Sequence, residues 1–212
     1  MKRVAIIPGL VLLSVLTMGA ALGNPRGGGD EREAMAWNVD VPHTQVKFSV
    51  KHFFTPVTGA FRDYEIDLTF DPEAPENSSV NVTIDVASID TKNDRRDNHL
   101  RSPDFFDAET YPTMTFQSSS VREVAPNRLV ATGDLTIKDT TREVELAIDV
   151  LGIRELPPEM QATMGGITHV AGFEASTQID RRAFEVGVAN WAQTVIVGGD
   201  VDISIALEAN RK

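Results

Sequence analysis

Apolar and polar residues alternate with period two along most of the chain. Val46, Phe48 and Val50 stand on one side of a segment whose other side carries Lys47, Ser49 and Lys51. Ile66, Leu68 and Phe70 alternate with Glu65, Asp67 and Thr69, and Val80, Val82, Ile84 and Val86 with Asn81, Thr83 and Asp85. The same rhythm returns at 129–137, 144–150, 171–179 and 201–208. One apolar and one wet face per segment predicts antiparallel strands. With Trp37–Asp40 and Thr113–Val124, the pattern supports eight or nine of them. Asp71-Pro72, Ala125-Pro126-Asn127, Lys138-Asp139 and Gly198-Gly199 read as the turns between them. No helical pattern alternates with the strands, which excludes a βαβ arrangement. The wet face carries Glu, Asp, Lys and Asn, unlike the apolar outer band of a membrane barrel. A barrel or sandwich filled from one face of each strand follows.

Two segments interrupt the alternation. Residues 92–109 are polar, charged and partly helical, with Ser102-Pro103-Asp104 expected to open a helix as cap, first-turn proline and acid. This connection is expected to pack across one barrel mouth. Residues 154–168, with Pro157-Pro158, Met160, Met164 and Gly165-Gly166, are long for a hairpin and read as a lid or a mobile loop.

The N-terminus reads as an address. Lys2 and Arg3 precede an apolar run from Val4 to Val15, and Ala21-Leu22-Gly23 has the small-x-small form of a cleavage site. The expectation is a signal peptide over 1–23, a flexible leader over 24–35 and one domain over 36–212. Export to the periplasm or beyond follows. The 212 residues contain no cysteine, so thiolate catalysis, thiolate metal sites and disulfides are excluded. Asp+Glu outnumber Lys+Arg 31 to 20, a formal charge of −11, which argues against nucleic acid as a partner.

No nucleophile elbow, zinc-protease motif, phosphate loop or dinucleotide fingerprint is present. No catalytic residue, metal ligand or cofactor is assigned. Asp97 and His99 are close in sequence, but a metal needs further ligands that spacing does not supply. His43 and His99 read as hydrogen-bonding residues at strand and helix ends. An eight-stranded closed barrel has room for filling side chains or for one small ligand. Ala131, Gly133, Ala171 and Ala175 opposite Phe48, Phe70, Phe116 and Phe173 suit either a cavity or an interlocked solid core. Periodicity alone favours the solid core.

Several clusters form a recognisable set. They are Trp37-x-x-Asp40-x-x-His43-Thr44, Phe48-x-Val50-Lys51-His52, Gly59-x-Phe61 and Gly133-Asp134-Leu135-Thr136-Ile137. Ala171-Gly172-Phe173 and Ile179-Asp180-Arg181-x-x-Phe184 complete it, with Arg96-Asp97-x-His99-Leu100-Arg101-Ser102-x-Asp104-Phe105-Phe106-Asp107 as its most specific part. In these the chain resembles the YceI-like family of secreted, lipocalin-like lipid-binding proteins. The resemblance implies an all-β fold: an extended antiparallel eight-stranded lipocalin-like barrel with a short helix at one end, its pore holding a long isoprenoid or another amphiphile. Relatives often carry Gly near 139 and directly after Phe184, where this chain has Asp139 and Glu185. Many also have a shorter turn in place of 154–168, which points to a different mouth.

On that resemblance, the candidate pore residues are Phe48, Val50, Phe61, Leu68, Val82, Ile84, Phe116, Leu135, Leu146, Phe173 and Ile203. Phe105, Phe106, Tyr111 and Phe184 are candidates for the mouth. Arg96, His99 and Arg101 are candidates for a polar head group, and Arg96 and Arg181 are alternatively expected in buried pairs with Asp97 and Asp180. The expected function is sequestration or transport of a lipid, not catalysis. A fatty acid, fatty amide or quinone is the alternative cargo, and a filled interaction or stress-associated barrel the alternative function. Expected partners are a hydrophobic ligand, a membrane touched transiently for exchange and a second copy in a homodimer.

Overall fold

The computed structural model describes residues 35–193 and 195–212. The expected signal peptide and nearly all of the expected leader lie outside the described residues. The strands are β1 Met35–Val39, β2 Gln45–His52, β3 Thr55–Phe61, β4 Tyr64–Phe70, β5 Ser79–Asp85, β6 Ile89–Asp90, β7 Thr113–Ala125, β8 Arg128–Ile137, β9 Thr140–Glu155, β10 His169–Asp180 and β11 Val197–Arg211. Two short helices, α1 Asp94–Arg101 and α2 Pro158–Thr163, interrupt them. β1 takes in Met35, one residue ahead of the expected domain start.

Neighbours in sequence are neighbours in the sheet, and the sheet closes. β4, β5, β7, β8, β9, β10 and β11 follow one another antiparallel, and β1 pairs with both β4 and β11. β2 continues β1 along β11, with Ile205 opposite Val46 and Ile203 opposite Phe48. β3 continues β4 alongside β2, and β6 continues β5 alongside β3. The result is a closed barrel of eight long antiparallel strands.

Three adjacent strands break at one level. The breaks are a 3-10 turn at Val41–His43, the Arg62-Asp63 corner and a 3-10 turn at Val86–Ser88. This crease is held by buried Thr44, whose Oγ1 donates to the Asp40 carbonyl at 2.8 Å and accepts from Glu208 N at 3.3 Å. The Tyr64 hydroxyl donates to the Thr44 carbonyl at 2.6 Å, and burial raises its pKa. On the outside, Arg62 donates through Nε and Nη2 to Asp90 Oδ2 at 3.0 and 2.7 Å. That fork, followed by the Lys92 backbone N–H, holds the Asp90 carboxyl below its usual pKa.

Above the crease the ladder opens in two places. β6 leaves β7, and residues 86–112, including α1, fill the gap. β9 and β10 pair only as far as Ser176 opposite Ala147, although β10 stays paired with β11 up to Asp180. Below the crease the end is shut by Trp37, Phe70 and Phe173, where Trp37 Nε1 donates to the Phe70 carbonyl at 3.0 Å and Phe70 meets Phe173 edge-on at 5.1 Å.

Three sequence expectations change. α1 is capped by Asn93, whose side chain accepts from Arg96 N at 3.0 Å. Ser102 ends that helix instead of opening another, its Oγ donating to the His99 carbonyl at 2.7 Å, and Pro103 has no N–H with which to continue it. Gly198-Gly199 is not a turn: both lie in β11, at a register shift against β2 between Val197 and Val201. The 154–168 segment is β9's last turn of ladder, α2 and a return into β10, with Leu156 N bonded to Thr168 O and Thr168 N to Arg211 O, both at 2.8 Å. It sits at the shut end, away from α1, and so cannot alter the mouth. Glu185 takes a left-handed backbone with φ 57°.

Gly133 shows how tightly β7 and β8 approach. A Cβ there would lie 2.4 Å from the Gln117 carbonyl oxygen and 2.7 Å from Ser118 Cα. Both atoms are backbone, so the strand itself would have to move. Gly133→Ala is expected to cost about 1–3 kcal/mol, read as a lower urea midpoint with an unchanged slope.

Candidate binding cavity

The inward-facing side chains leave three spaces in line along the barrel axis. The central one is about 160 Å³ and is lined by aliphatic and aromatic residues apart from Lys47, Thr177 and Arg181. A smaller space of about 60 Å³ lies toward the shut end. Val82, Leu146 and Ile205 border both, so they form the waist between them. At the α1 end a pocket of about 560 Å³ forms the mouth. Phe48, Val50, Leu100, Phe105 and Val197 are shared by mouth and centre. A dry apolar cavity of roughly 150 Å³ takes a ring the size of benzene. The central space alone thus holds a short apolar segment, and a long chain must run through the waist or out to the mouth.

Aromatic rings frame the mouth. Phe61 contacts Phe48 at 5.6 Å and Phe106 edge-on at 6.1 Å. Phe105, His99 and Trp191 form a triangle, with His99 5.0 Å from each of the other two rings and Phe105 5.7 Å from Trp191. His99 Nε2 also lies 3.0 Å from Asp104 Oδ2.

Arg181 is the keystone of this end. It is 5% exposed and touches the central space. Its Nε donates to Gly198 O at 2.8 Å, Nη1 to Val186 O at 2.8 Å and to Gly187 O, and Nη2 to Trp191 O at 2.7 Å and Val197 O at 3.1 Å. A guanidinium has five N–H donors, and here each has a backbone carbonyl. Burial is the main cause that lowers its pKa, the charge of Arg182 adds to it and Asp180 opposes it. The expected pairing with Asp180 is therefore absent: that carboxylate binds Arg182 instead, through contacts of 2.9, 3.2 and 2.5 Å. Gly187 is required beside it, since its φ is 61° and a Cβ would lie 2.6 Å from both Arg181 Nη1 and the Phe105 ring.

The second expected pair is also replaced. Arg96 donates through Nε to Thr91 Oγ1 at 2.7 Å and through Nη2 to Thr91 O at 2.8 Å. Buried Asp97 accepts from Thr91 N at 3.0 Å and from Thr91 Oγ1. Thr91 thus stands between the two charges.

The structure places the sequence candidates as follows. Phe48, Val50, Phe61, Val82, Ile84, Phe105, Phe106, Phe116, Leu135, Leu146 and Ile203 line the central space. Leu68 and Phe173 line the far space. Arg96 and His99 line the mouth. Three candidates lie elsewhere. Tyr111 turns toward the β8–β9 turn, with Lys138 Nζ 5.7 Å from its ring centre and Asp139 raising its hydroxyl pKa. Phe184 is 2% exposed and packs in the core around Arg181's loop, without reaching the cavities. Arg101 spends its guanidinium on the Ala87 and Ile89 carbonyls at 2.7 and 2.8 Å.

Sequence reasoning missed Val46, Val144, Val201 and Ile205, which share the alternating faces already recognised and were findable by them. It also missed Leu100, Val186, Arg95 and Trp191, which come from irregular segments with no periodic signal. Among the described residues one cluster outside the cavity has metal-ligand chemistry: Asp40, His43 and Glu208 bring three ligand atoms within 4.8 Å of one another on the crease. Two of the three are exposed, and the hydrogen bond to the Asp40 carboxylate is the leading cause of the upward shift in the His43 pKa.

A closed eight-stranded antiparallel barrel with an apolar axial cavity defines a binding-protein fold. The chain belongs to the YceI family: the YceI-like domain matches residues 37–209. A UPF0312 protein of Photorhabdus laumondii is 37% identical over 172 residues, covering 80% of this chain and 83% of that protein. Burkholderia cenocepacia BcnA superposes with a TM-score of 0.71 at 31% identity, over 81% of this chain and 99% of that one. A polyisoprenoid binding domain from Saccharophagus degradans, implicated in plant cell wall breakdown, shares the fold at TM-score 0.58 and 12% identity, over 83% and 98% of the chains.

Replacing Arg181 with Met keeps much of the volume and removes all five donors. The variant is expected to lose on the order of 3 kcal/mol in urea unfolding and to raise amide exchange in 186–198 selectively. Arg181→Lys, with three donors, should fall between the two.

Proposed function

We propose that this protein is an exported lipid carrier that holds a long isoprenoid or a similar single-chain amphiphile along the barrel axis. The observation that carries this reading is the line of three spaces, apolar through the centre and open at the α1 end. The polyisoprenoid-binding neighbour supports the cargo class, through a shared fold. The signal-like N-terminus and the lack of cysteine support export to the periplasm or beyond.

The energetics suit a chain more than a compact ligand. Burying apolar chain is worth about 0.8 kcal/mol per CH₂-sized group, and a preformed tube lowers the ordering cost that a flexible chain otherwise imposes. No step of bond making is needed for this role, and the proposed function is binding without catalysis.

The test is native mass spectrometry of protein purified without detergent, then solvent extraction of what it carries. The expected result is a discrete adduct whose fragments show isoprene spacing. A fatty-chain adduct would keep the carrier and change its cargo. An unliganded mass that stays unchanged after incubation with polyprenols would overturn the reading. A paired experiment uses the waist: Val82→Phe narrows the passage between the central and far spaces. It is expected to keep a short prenyl alcohol and to lose the longest chains that the wild type accepts.

A further inference from the structure

We infer that the mouth docks on an anionic lipid bilayer through an apolar tip and a basic rim, an inference that rests on the carrier reading above. The tip is the turn between β2 and β3. Phe54 is 96% exposed and Phe53 51% exposed. Phe53 has φ 53°, a left-handed backbone that an aromatic residue adopts at a cost. The turn therefore holds Phe53 in a disfavoured backbone, its ring half exposed edge-on to His52 at 4.9 Å, with Phe54 beside it projecting into solvent. Phe53 N donates to Ile196 O at 2.8 Å, which ties the tip to a second apolar segment where Val195 is 71% and Ile196 43% exposed. The next residues on each strand, His52 and Val197, line the mouth itself. Four exposed apolar side chains thus stand on the lip of the cavity.

The rim has the sign of charge that an anionic membrane attracts. Lys51, Arg95, Arg96, His52 and His99 line the mouth, and among the described residues no Asp or Glu does so. This is a local reversal in a chain with 31 acids and 20 Lys+Arg. Asp97 is buried and binds Thr91, and the exposed Asp104 carboxylate pairs with His99 beside that lining. Lys51 and Arg95 make no ion pair among the described residues, so their charges are available. Protruding rings that enter the headgroup layer, with cations beside them, are the recognised chemistry of interfacial binding. A bilayer fits better than a protein partner because the apolar residues form a projecting lip around an opening, and the lipid store of the proposed cargo lies in the bilayer. Docking there lets a chain pass into the barrel without crossing water.

The experiment is flotation of the full chain with vesicles of phosphatidylethanolamine and phosphatidylglycerol, against vesicles of phosphatidylcholine alone. Wild-type protein is expected to float with the anionic vesicles and weakly or not at all with the neutral ones. Phe54→Ser removes a side chain with no packing role and is expected to weaken binding at least about tenfold. Lys51→Gln and Arg95→Gln should each weaken it about fivefold and reduce its salt sensitivity. Absence of wild-type flotation, or equal flotation of Phe54→Ser, would overturn the inference. So would a wild-type dimer in light scattering that Phe54→Ser converts to monomer with neither form binding vesicles, since the lip would then serve self-association. Loading of geranylgeraniol from cyclodextrin, with no membrane present, separates the two ideas. Loading without flotation leaves carriage standing and removes docking. Flotation without loading supports docking and removes carriage.

Discussion

β11 meets the first strand twice, below the crease through Asn38 and Val39 and above it through β2, and the barrel has no free edge at this seam because both meetings hold. The first strand carries more residues through the crease than the strand beside it, and the 3-10 turn at Val41–His43 takes up the surplus. Thr44 stitches that turn to Glu208 on β11 and, through its carbonyl, to Tyr64 on β4. Those few hydrogen bonds fix where the wall bends. The bend in turn decides that the lower end is shut by Trp37, Phe70 and Phe173 while the upper end splays.

A splayed end must satisfy its loose backbone groups, and one side chain does much of that. Arg181 gathers the carbonyls of Val186, Gly187, Trp191, Val197 and Gly198. The bulge at Gly198-Gly199 turns the Val197 and Gly198 carbonyls toward it, and Gly187 leaves room for it. A buried cation balanced by carbonyl dipoles presents no free donor to the cavity. Donors open to a ligand's polar end therefore sit on the outer rim, at Lys51 and Arg95, and in the central space Lys47 and Thr177 are the polar residues besides Arg181 in an otherwise apolar lining.

The barrel was legible in the sequence because period two is a property of individual strands, and Val46, Phe48 and Val50 or Val144, Leu146 and Ile148 reveal an inner face without knowledge of their partners. The family resemblance then supplied what periodicity lacks, an argument for a cavity over a filled core. The crease was not legible: a break in three strands at one level depends on register between them, which no single segment encodes. Ser102-Pro103 misleads as a helix start, since a serine before proline suits the end of one helix as well as the start of another. Sequence position alone puts the aromatics Tyr111 and Phe184 near the mouth, but direction in an irregular segment follows tertiary contacts. Arg181 was expected to seek a carboxylate. Asp180 is its neighbour in sequence, yet the strand turns there and gives that acid to Arg182.

The unpaired stretch between β9 and β10 has a mechanical consequence. Where every strand is laddered to its neighbours, a barrel's girth can grow only by breaking hydrogen bonds. Here residues 140–146 of β9 and 177–180 of β10 face each other with no ladder among the described pairings. Val144, Thr177 and Ile179 from those stretches line the central space. The girth at this seam is therefore set by side-chain contacts, among them Arg142 Nε donating to Ala183 O at 3.3 Å, and not by a ladder.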